Sequence, residues 1–65
     1  MFDFSEALRR MKLGAKVHRA KWDKGCYVRL EHDEFVWIYQ GNEYTDVFTP
    51  QARDMVADDW VDPAE

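Results

Sequence analysis

Residues 26–39 read Cys-Tyr-Val-Arg-Leu-Glu-His-Asp-Glu-Phe-Val-Trp-Ile-Tyr. In the first six, Cys26, Val28 and Leu30 alternate with Tyr27, Arg29 and Glu31. That period of two gives a strand one buried and one solvated face. His32-Asp33-Glu34 is polar and turns the chain. Phe35-Val-Trp-Ile-Tyr39 is apolar at every position, which predicts a central strand or one covered by a partner. A hairpin therefore stands at the middle of the chain, and the rest is read outward from it.

On the N-terminal side, Val17 to Trp22 keeps the period of two and predicts a further strand, with Asp23-Lys24-Gly25 as its turn. Before it, Phe4, Ala7, Leu8 and Met11 recur at helical spacing and mark one apolar face. Asp3 or Ser5 can cap that helix, and Glu6 stands three residues after Asp3, at capping-box spacing. Gly14 is a natural stop, so the helix is expected over 4–13. On the C-terminal side, Gly41-Asn42-Glu43 turns the chain into a strand from Tyr44 to Phe48. Thr49-Pro50 then predicts a helix start, with Thr49 as cap and Pro50 in the first turn. Ala52, Met55 and Val56 would form its apolar face, and it would end near Asp58. Trp60-Val61 closes as an edge strand. The fold class is α+β: an N-terminal helix packed on an antiparallel sheet of about four to five strands, with a short second helix near the C-terminus.

Sixty-five residues make a single domain, 1–65. A chain of this size buries only about 60% of the surface that its unfolded form exposes. Cys26 is the only cysteine, so no internal disulfide can staple it. Four Phe, three Tyr and three Trp supply the compensating bulk and argue against disorder. The sequence shows no transmembrane run and no signal peptide, and a cytoplasmic protein is expected.

Residue chemistry points away from catalysis. His18 and His32 are the only imidazoles, and neither has a nucleophile and an orienting acid around it. Cys26 with two scattered histidines is no zinc set. Gly14, Gly25 and Gly41 are isolated and make no phosphate loop. We expect no enzyme, no cofactor and no metal.

Charge is split along the chain. Residues 1–30 hold eight of the nine Lys and Arg and three acids; residues 31–65 hold ten acids and only Arg53. The halves are therefore +5 and −9. One explanation is that they fold against each other and interleave; the other is an acidic face that docks on a cationic partner. A pI near 5.0 opposes direct binding to nucleic acid. A basic, aromatic-walled pocket for a small anion needs only local charge, which Arg19, Trp22 and Tyr27 could provide.

Two stretches carry a resemblance. One is Phe2-Asp-Phe-Ser-Glu-Ala-Leu followed by Gly14 and Lys16-Val-His-Arg-Ala-Lys-Trp22. The other is Phe48-Thr-Pro-Gln-Ala-Arg-Asp-Met-Val-Ala-Asp-Asp-Trp60. Together they resemble a small phage and prophage anti-defence family that includes Thoeris signal sponges and anti-CRISPR relatives. Trp22, Pro50, Asp54, Asp59 and Trp60 match its pattern. Phe48 stands where a Trp is usual, Gln51-Ala52 replaces a Ser-Gln pair, and the loops at Asp23-Lys24-Gly25 and His32-Asp33-Glu34 are short. The resemblance implies a phage-encoded inhibitor of bacterial immunity working in the infected host cell.

Two mechanisms follow. In the first, which the charge split favours, the protein is an anti-CRISPR DNA mimic. A monomer would dock on a DNA-binding subunit of a CRISPR effector through Glu31, Asp33, Glu34, Glu43, Asp46, Asp54, Asp58, Asp59 and Asp62. In the alternative, a homotetramer sequesters a cyclic-nucleotide-type immune signal through Arg19, Trp22, Tyr27 and Asp54.

Overall fold

The computed structural model describes residues 1–39 and 45–64. In chain order it contains α1 (Phe4–Lys12), β1 (His18–Arg19), β2 (Cys26–Glu31), β3 (Glu34–Tyr39), β4 (Thr45–Val47), α2 (Ala52–Met55) and β5 (Trp60–Val61). The architecture is α+β, as the hydrophobic patterning requires. The strands form an antiparallel three-stranded sheet, β2-β3-β4, and an antiparallel pair, β1-β5. Two isolated bridges, Val17 with Val28 and Phe2 with Trp60, extend the pairing between and beyond them. The single sheet expected from the sequence is thus split at β1, which pairs over two residues rather than from Val17 to Trp22.

α1 starts as its spacing predicts. The Asp3 carboxylate accepts from the Glu6 N–H at 2.9 Å. Glu6 does not reach back to close a capping box. Instead it pairs with Arg9 at 2.7 Å and Arg10 at 2.9 Å. Beyond Lys12 the chain leaves the helix through Leu13 and Gly14, whose φ of 98° lies in the left-handed region that glycine enters without strain. The inward residues Ala7 and Met11 pack with Val17, Val28, Phe48 and Trp60 as the buried core. Phe4 reaches Trp60 and Phe35, with ring centroids 5.4 and 6.2 Å away.

Glu6 makes the helix sensitive to acid. Hydrogen bonds from Arg9 and then Arg10 lower its pKa from 4.5 to about 2. A carboxylate with a depressed folded-state pKa stabilises the fold above its unfolded value and loses that contribution as pH falls through the folded value. The Glu6 contribution is therefore expected to vanish between pH 4.5 and about 2. A carboxyl-carbon NMR titration should place its midpoint near the bottom of that window; a midpoint at the unperturbed value would show that the pairs do not persist in solution.

The β2–β3 hairpin turns on His32 and Asp33 alone, with φ of 51° and 67°. Two consecutive positive φ values match the primed two-residue turns, whose twist suits a hairpin. Glu34, expected within the turn, is instead the first residue of β3 and faces Glu31. β3 is the central strand of its sheet, as its continuous apolar run predicts. The Gly41-Asn42-Glu43 turn and Tyr44 lie outside the described residues. β4 begins at Thr45, and Phe48 continues the ladder by donating to the Phe35 carbonyl at 2.8 Å.

The second helix is the main departure. It is one turn, capped by Gln51 rather than Thr49, and it stops at Met55 rather than near Asp58. Met55 and Val56 are exposed, and Ala52 also faces outward, so the expected apolar face is absent. The buried residue of this turn is Asp54. Its carboxylate accepts from the Gln51 N–H at 2.9 Å, which sets the start two residues later than Thr49-Pro50 suggests.

Candidate functional site

The site is built around Arg19. In β1 the residues alternate, so His18 is half-buried while Arg19 points inward and is 7% exposed. Its Nε donates to Asp59 Oδ1 at 2.8 Å and its Nη1 to Asp54 Oδ1 at 3.2 Å. Asp59, then Asp54, raise the guanidinium pKa further, against the opposing effect of burial. One buried cation thus ties β1 to α2 and to the entry of β5. Asp54 is held from three sides: one oxygen takes Arg19, the other the Gln51 N–H, and its backbone carbonyl accepts from Trp60 Nε1 at 3.0 Å.

Trp22 folds back over this network. The Trp22 N–H donates to the Arg19 carbonyl at 3.0 Å, a tight turn that brings the indole beside the sheet. Its ring lies 4.6 Å from Trp37, 5.3 Å edge-on from Trp60 and 5.7 Å edge-on from Phe48. Trp37 in turn meets Phe48 edge-on at 4.7 Å and stacks with Tyr39 at 6.1 Å. Trp60 is completely buried and belongs to the core; Trp22 is half-buried and keeps an accessible surface.

A cavity of about 370 Å³ opens beside these rings. Its walls are Trp22, Trp37 and Phe48; Arg19 and Asp54 also line it, and Lys21, Thr49, Gln51 and Arg53 complete it. A second cavity of about 390 Å³ shares Lys21, Trp22 and Trp37 and adds Asp23, Cys26 and Tyr39. The two indoles therefore line both cavities. Lys21 and Arg53 are exposed and have no ion-pair partner among the described residues. The arrangement offers aromatic surface for a planar base and uncommitted cations for an anion, the two features that recognise nucleotides. No group of three His, Cys, Asp or Glu that could hold a metal ion occurs among the described residues. No helix among them is long and apolar enough to cross a membrane.

Of the residues expected to bind a small ligand, the structure brings Arg19, Trp22 and Asp54 together. Tyr27 does not line that cavity; it shares a smaller one of about 60 Å³ with Trp22, with Lys16 Nζ 4.5 Å over its ring and His18 edge-on at 5.4 Å. The acids expected to dock on a partner have several settings. Asp54 and Asp59 are engaged with Arg19, and Asp62 with Arg10 at 3.2 Å. Glu31 pairs with Arg29 at 2.6 Å. Asp33, Glu34 and Asp58 are exposed, and exposed Asp46 accepts from the Val47 N–H at 2.8 Å. Glu43 lies outside the described residues. Sequence reasoning missed Lys21, Trp37, Thr49, Gln51 and Arg53 as lining residues. Only Trp37 carried a usable signal, since it shares a strand face with Phe35 and Tyr39.

Comparison with known proteins gives one family. Residues 2–62 match the Tad2-like family, the Thoeris anti-defense 2-like domain. Neither a curated protein nor a solved structure gave a significant match. With both helices and all five described strands inside the matched span, the chain belongs to the Tad2-like family of phage anti-defence proteins.

Proposed function

We propose that this protein counters Thoeris immunity by sequestering a cyclic-nucleotide-type signal in the cavity beside Trp22 and Trp37. The observation that carries the reading is the coincidence of three indole or phenyl walls with the uncommitted cations Lys21 and Arg53 in a space of about 370 Å³. A volume of this order suits a small ligand. Family membership supports the same mechanism over a DNA-mimicking inhibitor of a CRISPR effector. So does the internal use of Asp54, Asp59 and Asp62, which neutralise this chain's own arginines and leave less acidic surface for a partner's. The cavity is open on one protomer, and a homo-oligomer could supply a further wall.

Sequestration requires binding without turnover, and the site can supply it. A base lying against Trp22 or Trp37 would replace water on an aromatic face, a contact that contributes about 1–3 kcal/mol. Lys21 and Arg53 would meet the phosphates. Asp54, locked to Arg19, would repel an anion placed directly on the floor and so steer the charge toward the rim.

Calorimetry with a cyclic adenine nucleotide, against adenosine as the uncharged control, tests the reading. Binding of the nucleotide that weakens with salt is expected. Lys21→Glu and Arg53→Glu should each cost about tenfold in affinity, the scale of one charge-assisted hydrogen bond, with the fold unchanged. Equal binding of adenosine, or neither heat nor a thermal shift with a panel of cyclic nucleotides, would overturn it.

A further inference from the structure

Arginine and phosphate are natural partners, yet the floor of the first cavity is built against that pairing. Arg19 brings one positive charge there, and Asp54 and Asp59, at 3.2 and 2.8 Å, bring two negative ones. The cluster carries a net negative charge, so a phosphate set down on it meets repulsion in a poorly hydrated setting. What the floor presents instead is hydrogen-bonding capacity.

Arg19 commits Nε to Asp59 and Nη1 to Asp54, and Nη2 has no partner among the described residues. No buried side-chain nitrogen or oxygen among them lacks a hydrogen bond, so Nη2 is open to solvent. Arg19 is otherwise buried and lines the first cavity, which makes the cavity its opening. A guanidinium already fixed at its other two nitrogens thus offers the remaining N–H groups to that space. Asp54 lines the same cavity. Each of its carboxylate oxygens accepts one hydrogen bond, from Arg19 and from the Gln51 N–H, and keeps a second lone pair. A fixed donor therefore stands beside a fixed acceptor. The group that matches this pair is an uncharged edge carrying an acceptor beside a donor, as in adenine, where ring nitrogens flank the 6-amino group.

We propose that the ligand of the first cavity enters base first. The base edge hydrogen-bonds Arg19 Nη2 and Asp54, its ring lies along Trp22 or Trp37, and its phosphates stay at the rim with Lys21 and Arg53. The inference rests on the nucleotide reading above and gives that nucleotide one orientation. Arg19 then does more than tie β1 to α2: it selects the base, by donating a hydrogen bond rather than by neutralising charge. The aromatic walls alone accept any flat ring. The floor rejects rings without a donor beside an acceptor, because such a ring covers Asp54 or Nη2 and leaves it unpaired.

Calorimetry with cyclic AMP and three analogues of its base tests the orientation at constant phosphate charge. One analogue lacks the 6-amino group; the other two carry carbon in place of N1 or of N7. Loss of the amino group should weaken binding about tenfold, the scale of one hydrogen bond to a charged group. One of the two carbon-for-nitrogen analogues should weaken it as much and the other not at all, which identifies the edge. Nuclear magnetic resonance of the Arg19 guanidinium gives a second readout. Its Nη2 signal should move with cyclic AMP and stay in place with inorganic phosphate. Equal binding of all four nucleotides, or a shift of Nη2 with phosphate, overturns the proposal while leaving nucleotide binding itself intact. Binding by none of the four removes the nucleotide reading, and this orientation with it.

Discussion

Replacing Arg19 by methionine is expected to cost the domain about 3–5 kcal/mol. The substitution keeps the aliphatic stem but removes the charge that Asp54 and Asp59 share, at 3.2 and 2.8 Å. Their side chains are 11% and 25% exposed, so neither carboxylate is fully hydrated in the fold. The cost lies chiefly in the uncompensated acids rather than in the lost attraction, which is why removing one partner of a buried pair is so unfavourable. A domain of this size has a total stability of only about 5 kcal/mol, so Arg19→Met should be largely unfolded near 37 °C. Urea denaturation followed by far-ultraviolet circular dichroism measures it. Adding Asp54→Asn and Asp59→Asn should recover part of the loss, because amides do not carry the buried charge. A single variant within 1 kcal/mol of wild type, on the scale of an exposed pair, would mean that the network is solvated.

Trp60→Ala is expected to be of similar severity, about 3–5 kcal/mol. The indole is completely buried and meets Phe4 at 5.4 Å and Trp22 at 5.3 Å. Its backbone exchanges hydrogen bonds with Phe2 at 2.9 and 3.0 Å, so the collapse of this position would also loosen the N-terminal bridge. Trp60→Phe separates packing from polarity. It keeps most of the volume but leaves the Asp54 carbonyl without the Nε1 donor, for about 1–2 kcal/mol. Guanidinium denaturation of the three proteins should rank them wild type, Phe, Ala. Equal losses for Phe and Ala would place the whole contribution in the hydrogen bond.

The local parts of this fold were readable because their causes are local. Phe4, Ala7 and Met11 repeat at helical spacing, and Cys26 to Tyr39 alternates and turns within one hairpin. The second helix was misread for the opposite reason. Thr49-Pro50 is a sound local start, but Asp54 answers to Arg19, 35 residues away, and that contact moves the cap to Gln51. The charge split left two explanations open for the same reason. Read linearly, ten acids in the second half resemble a surface; folded, Asp54, Asp59 and Asp62 complement Arg19 and Arg10 of the first half. Trp22 and Asp54 were found as site residues through the family pattern. Lys21 and Arg53 were not, because their significance lies in having no partner, which only the assembled fold reveals.

The double engagement of the Asp54 side chain has an evolutionary consequence. A carboxylate that holds a helix cap and a buried arginine at once cannot be exchanged to suit a new ligand without endangering the fold. If a host altered the charge or shape of its immune signal, the floor of the cavity would be unable to follow. Adaptive change is therefore expected at exposed Lys21, Thr49 and Arg53, whose substitution costs little stability. An arms race written into this protein would leave its record on the rim.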